Sequence, residues 1–308
     1  MSDGSDRVET GDDGGHEHAR RRYLTAKRSV DERARDRRVH DDLLAALPEG
    51  PRVAEAGCGA GLTLADFYEW GVRPSSYLGV DADDGIVAFA RHLLPRVLRR
   101  RGVNAVGTDA GCRVDDADLA FAAGDALRVL PEAASTEGGV DLLLAQSFLD
   151  LVPLEDALDA AAATVAPGGL VYAPLTFDGD TAFSPAHAAD DRVLGAFQDA
   201  IDATPGRDSE AARHVRERLR ERDADVLAVG ASDWIVRPVD GAYRADERYF
   251  VARILDFVGD AVDDVAGADE WLAARRRQLA AGELTYVARN HDVLYRPRPR
   301  AQQTGVGR

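Results

Sequence analysis

The sequence predicts an α/β protein: a doubly wound, mainly parallel sheet with an antiparallel edge hairpin and extra helices after the fifth strand. Two observations carry the prediction. Between residues 50 and 176, short apolar runs alternate with helical patterns of about ten residues or more, the spacing of parallel strands joined by crossover helices. Right-handed crossovers then put helices on both faces. Beyond residue 176 the alternation ends, and the last two strand patterns flank two helical ones. That arrangement suits an antiparallel pair at the sheet edge.

The elements follow in order. A helix is expected over 28–46, with Ser29 as its cap and Glu32 closing a capping box. Strands are expected at 52–56, 76–80, 118–123, 140–145 and 169–175. Helices are expected at about 61–70, 84–100 and 154–166, and the Gly/Asp-rich stretch 102–116 reads as a loop or hairpin. Then come helices at 189–203 and 209–222, a strand at 225–236, helices at 245–263 and 268–281, and a last strand at 283–296. Residues 1–22 read as a disordered acidic tail and 297–308 as a disordered basic one, leaving a single domain over 23–296.

Composition narrows the class. The chain has 308 residues and a net charge of -16, with 54 acidic residues against 38 Lys and Arg. Lys27 is the sole lysine. An Asp-rich, nearly Lys-free chain resembles a salt-loving archaeal protein. In molar salt the Debye length falls to about 3 Å, so such charge repels itself little. The sequence shows no basic stripe with interleaved aromatics, which argues against a nucleic-acid substrate. It has no apolar run long enough to span a bilayer and no signal-peptide pattern at its start, so a cytoplasmic protein is expected, as monomer or homodimer. Cys58 and Cys112 belong to no ligand cluster, and no metal site is expected. Cys58 reads as a small filler residue.

The stretch "VAEAGCGAGLT" (53–63) follows a strand and opens a helix, the context in which a glycine loop has meaning. Gly57, Gly59 and Gly61 stand two apart behind Glu55. The nicotinamide fingerprint would need glycine where Leu62 stands, and a phosphate loop would need a lysine. The acid followed by G-x-G-x-G resembles motif I of the class I S-adenosylmethionine-dependent methyltransferases. Later strand ends carry the same resemblance: Asp81 and Ala82 in "VDADD", Asp125 and Ala126 in "AGDAL", Gln146, Ser147 and Phe148 in "AQSFL", and the turn "VAPGG".

The resemblance implies a Rossmann-like methyltransferase fold with a seven-stranded sheet and S-adenosyl-L-methionine as cofactor. It covers 50–176 firmly, as the cofactor-binding core, and the last two strands loosely. It implies that the glycines and Cys58 meet the cofactor, that Glu55 orders the loop or meets the cofactor's amino group, that Asp81 takes the ribose hydroxyls and Asp125 the adenine amine. Bland uses compete. Asp81 or Asp83 suits a helix cap, Asp125 a turn acid, and Gln146 and Ser147 plain loop positions. The segment 23–48 suits a lid, from which Tyr23, Lys27 or Arg28 could contact the cofactor carboxylate. An ordinary solvated basic start is the alternative.

On the substrate side, 177–296, the stretch 173–191 reads as a long loop at a strand's carboxyl end, where ligand crevices form. Phe177, Asp178 and Phe183 are substrate-contact candidates, and His187 is the one candidate general base. Trp234 suits either the core or the roof of the pocket. The expected activity is methyl transfer to a small molecule. RNA or protein methylation, and non-catalytic binding of the cofactor, are the alternatives.

Overall fold

The computed structural model describes residues 13 to 298, with side chains described from residue 21 onward. Its strands are β1 (Arg52–Ala56), β2 (Ser76–Asp81), β3 (Ala105–Gly107), β4 (Gly111–Val114), β5 (Ala117–Ala123), β6 (Val140–Leu144), β7 (Val165–Ser184), β8 (Asp225–Ala231), β9 (Trp234–Val236) and β10 (Thr285–Arg296). Its helices are α1 (Asp13–Ala34), α2 (Arg37–Ala46), α3 (Leu62–Glu69), α4 (Asp84–Arg100), α5 (Ala126–Glu137), α6 (Leu154–Thr164), α7 (Asp190–Asp202), α8 (Ala211–Glu221), α9 (Glu247–Ala261) and α10 (Ala268–Ala281).

One ten-stranded sheet runs β3-β4-β5-β2-β1-β6-β7-β10-β8, with β9 paired to β10. β5, β2, β1, β6 and β7 are parallel neighbours, and β10 lies antiparallel between β7 and β8. The parallel strands are near-continuous apolar runs because both faces are covered. α2, α3 and α4 pack one face through Val39, Leu43, Leu64, Phe67, Leu94 and Leu98. The opposite face carries α5, α6 and α8 through Leu130, Leu158 and Leu219. A third core, around Phe250, Leu255 and Trp271, joins α1, α7, α9 and α10 to the far ends of β7 and β10.

Several boundaries differ from the sequence reading. The sheet has ten strands rather than seven: 102–116 adds the β3–β4 hairpin at one edge, and 225–236 splits in two. The split falls where Ser232 N donates to Asn290 O and Asn290 N donates to Asp233, locking a kink. The first helix begins at Asp13, so 13–22 is helical, not tail; the expected tails at 1–12 and 299–308 lie outside the described residues. It also ends early. Asp36 caps a new helix, accepting from Arg38 N and Val39 N at 2.9 and 3.1 Å, while Ser29 sits mid-helix and turns its hydroxyl to Glu247. α5 was not expected; Asp125 starts it, and Gly138, with φ +80°, stops it. β7 runs on to Ser184 because β10 pairs along it from Ser184 back to Val171. The stretch 173–184 is therefore strand, not loop.

Candidate functional site

The carboxyl ends of β1, β2 and β6 open onto one cavity of about 980 Å³, within the range of small-molecule sites. The glycine loop forms its floor. Gly57, Gly59 and Gly61 all have positive φ, between 50° and 69°. At Gly57 a Cβ would sit 2.7 Å from the Phe148 ring, and at Gly61 it would sit 2.6 Å from Phe121. Bare backbone is thus required at both ends of the loop. Gly61 faces the core rather than the cavity.

Asp81 ends β2 and borders the cavity. Gly59 N donates to its Oδ2 and Asp83 N to its Oδ1, each at 3.0 Å. The carboxylate is thereby fixed with lone pairs spare on both oxygens. Capping of α4 falls to Asp83, which accepts from Ile86 N at 3.0 Å. Glu55 lies beneath the loop, 1% exposed. Burial pushes its carboxyl up to about 7, against hydrogen bonds from Tyr77 and Thr63 that favour the charged form.

α1 closes one side. Its Asp31, 5% exposed, is a hub that the sequence reading missed. Lys27 Nζ donates to Asp31 Oδ2 at 2.7 Å, Gln146 Nε2 to the same oxygen at 3.1 Å, and Trp234 Nε1 to Oδ1 at 3.0 Å. Lys27 also donates to Ser147 Oγ at 3.1 Å and stands 4.8 Å from the centre of the Trp234 ring. Arg35, likewise missed, donates to Gln146 Oε1 at 2.6 Å. Asp66 of α3 gathers Arg28 at 2.6 Å, Arg101 at 3.5 Å and Arg35 at 3.7 Å. Asp66, Glu32 and Glu69 lie close enough to hold an ion, but those arginines already neutralise them.

Elsewhere the lining gathers apolar and aromatic side chains, Phe177, Phe197, Ile201, Phe257, Tyr23 and Tyr286, with the charged Arg207, Asp208, Arg253 and Asp260 among them. Burial pushes both tyrosine phenols up. Asp150, at the end of the turn after β6, borders this chamber.

Of the residues proposed from sequence, the cavity gathers Lys27, Arg28, Glu55, Gly57, Cys58, Gly59, Asp81, Gln146, Ser147, Phe148, Phe177 and Trp234. Others go elsewhere. Asp125 is exposed, lies outside the cavity lining and caps α5, accepting from Leu127 N at 2.9 Å. Ala82 is exposed and Ala126 is buried in α5, both outside the cavity lining. His187 sits in the turn before α7, where its Nδ1 accepts from Ala189 N at 3.2 Å; it does not line the cavity. Phe183 packs in the core against Trp271 and Tyr286. Asp178 is buried beside His291, 3.7 Å away.

No protein-family model and no curated protein matches the chain. Solved structures do. A protein from Bacillus halodurans C-125 assigned as a methyltransferase superposes with a TM-score of 0.51 at 11% identity, covering 84% of this chain and 97% of that one. A SAM-dependent methyltransferase from Thiobacillus denitrificans, solved with S-adenosyl-L-homocysteine, matches at 0.44 and 17% identity, covering 86% and 93%. At such identities the likeness is one of architecture. The fold is the Rossmann-like α/β fold of the Bacillus halodurans protein: a mostly parallel central sheet with an antiparallel edge. No helix among the described residues is long and apolar enough to cross a membrane.

Proposed function

We propose that the protein is an S-adenosylmethionine-dependent methyltransferase acting on a small molecule. One observation carries the reading: a glycine loop and a strand-end carboxylate line a single cavity together with the aromatic side chains Tyr23, Phe177, Phe197, Phe257 and Tyr286. The residues fit such a cofactor. Nothing but Leu24, 3.6 Å away, would meet a Cβ on Gly59, so the loop offers open backbone there. Asp81 keeps acceptor capacity for a pair of hydroxyls. Glu55 and the Gln146–Phe148 turn complete the wall. When bound, the cofactor supplies an activated methyl group. The protein's part is to align the acceptor and exclude water, with no covalent nucleophile required.

A small acceptor is favoured because α1, α7 and α9 roof the chamber, and because the net charge of -16 repels nucleic acid. The same charge supports a working medium of high salt. Isothermal titration calorimetry in molar KCl tests the reading. S-adenosylmethionine and its demethylated product should bind at micromolar concentrations, and Asp81→Ala should weaken both at least tenfold. Absence of heat with both, from protein shown to be folded, would sink it.

A further inference from the structure

Asp150 has no part in holding the glycine loop or α1. It ends the turn 146–150 after β6 and borders the aromatic chamber beyond Phe148. Its Oδ1 is buried and has no hydrogen-bond partner among the described residues; the one backbone donor acting on the carboxyl is the residue's own N–H. A buried carboxylate oxygen without a donor is costly, and such groups in native proteins call for an explanation. The cations near it do not supply one. Lys27 of α1 is already bound to Asp31 and Ser147. Arg207, in the segment between α7 and α8, is exposed at the cavity edge. Both attract Asp150 from a distance, while neighbouring Asp208 repels it. The Tyr23 phenol of α1 lies within reach of the Asp150 charge, and Arg253 of α9 acts on the same phenol.

Aromatic side chains stand around this acid, among the charged Arg207, Asp208, Arg253 and Asp260 that share the lining, with Arg253 over the Phe257 ring. Tyr23 lies edge-on to Phe257, and Phe177 and Phe197 complete the side. Aromatic faces attract a cation, and a carboxylate in their midst supplies both opposite charge and an acceptor for N–H donors. The terminal torsion of an aspartate is broad and two-fold, so either oxygen can turn to an incoming donor. Lys27 over the Trp234 ring shows the same pairing of ammonium, carboxylate and aromatic face within this cavity.

From this we infer that the chamber is a recognition site for a protonated amine on an apolar or aromatic body, with Asp150 as the residue that binds the ammonium group. The inference names the substrate class of the proposed methyltransferase and rests on that reading for the word substrate; the binding itself does not depend on it. Burial pushes the Asp150 carboxyl up to about 6, so its charge is gained as pH rises through that value.

The test titrates phenethylamine by calorimetry with no cofactor present, beside phenethyl alcohol and 3-phenylpropionate of similar shape. The amine should bind at least tenfold tighter than the alcohol, with the anion weakest, and its affinity should rise between pH 5 and pH 7.5. Asp150→Asn should abolish the preference for the amine and flatten that pH profile, while its melting temperature stays level or rises. Equal binding of amine and alcohol overturns the assignment. So does an Asp150→Asn variant that keeps the preference, or one that weakens S-adenosylmethionine and leaves the amine untouched. Because the amine is measured alone, failure of the cofactor to bind leaves this result standing, and the two readings fail separately.

Discussion

At the glycine-loop end the cavity wall is backbone; at the α1 end it is side chains. The first end uses positions set by local rules: a strand end, positive φ, a bare Cα. Gly57, Gly59, Gly61, Glu55 and Asp81 lie within 27 residues of one another. The second end is assembled from Asp31, Gln146 and Trp234, which are 115 and 88 residues apart in the chain. Asp31 and Lys27 are buried and the groups that bond them half-buried, so each depends on partners from another element. The contrast teaches that one half of the site is set by local backbone conformation, and the other by side-chain partners brought from distant elements.

Mutations can break that contrast. The largest effect is expected from Asp31→Ala, which strands the buried Lys27 ammonium and two further donors. Loss of one partner of a buried pair costs about 3–5 kcal/mol, readable from urea unfolding. If the variant unfolds at the same urea concentration as the wild type, the hub is ornamental and the contrast fails.

Glu55 comes next. Its carboxyl titrates near 7 in the folded protein and near its ordinary value of 4.5 when unfolded, so the native state holds the proton more tightly. Stability therefore falls as pH rises from about 4.5 through about 7, by on the order of 3 kcal/mol from this group. Glu55→Gln should flatten that slope in melts taken across the window; an unchanged slope would assign it to another acid.

Gly61→Ala should cost about 2 kcal/mol, from the clash with Phe121 together with a left-handed φ. Gly71→Ala shares the φ penalty but meets nothing within 4 Å, so it should cost about 1 kcal/mol less than Gly61→Ala. Equal losses would show that conformation alone matters at the loop. The smallest effect is expected at the surface. Asp180→Ala removes a pair to Arg289 in which the side chains are 66% and 49% exposed, and should change stability by under about 1 kcal/mol.

Legibility followed the same division. The parallel strands and the helices between them, α5 excepted, could be placed from apolar runs, and Asp81 from its position at the end of one. Asp36 stands before an apolar helical pattern and could have been read as a cap. So could Asp125, whose helix 126–137 was hidden by Pro131 inside it. The extension of β7 was not legible. Thr176 to Ser184 alternates weakly around Gly179, and only pairing with β10 makes it strand. Asp31 and Asp150 look like any other two of the chain's many acids, because what distinguishes them is a partner, or the lack of one, brought near by the fold. His187 stood out as a loop histidine, and the fold gave it a turn to stabilise instead.

The place of β10 has a consequence for how the molecule is made. Among the described residues β8 and β9 pair with no other strand, and the far half of β7 pairs with β10 alone. Strands β1 to β6, by contrast, pair among themselves. During synthesis the glycine-loop half can assemble while the ribosome is still adding residues, since earlier parts of a chain fold first. The chamber half waits for residues 285–296 to emerge. Until then three strands of its wall stand with open edges, and it is in that interval that the nascent chain is most exposed to wrong partners.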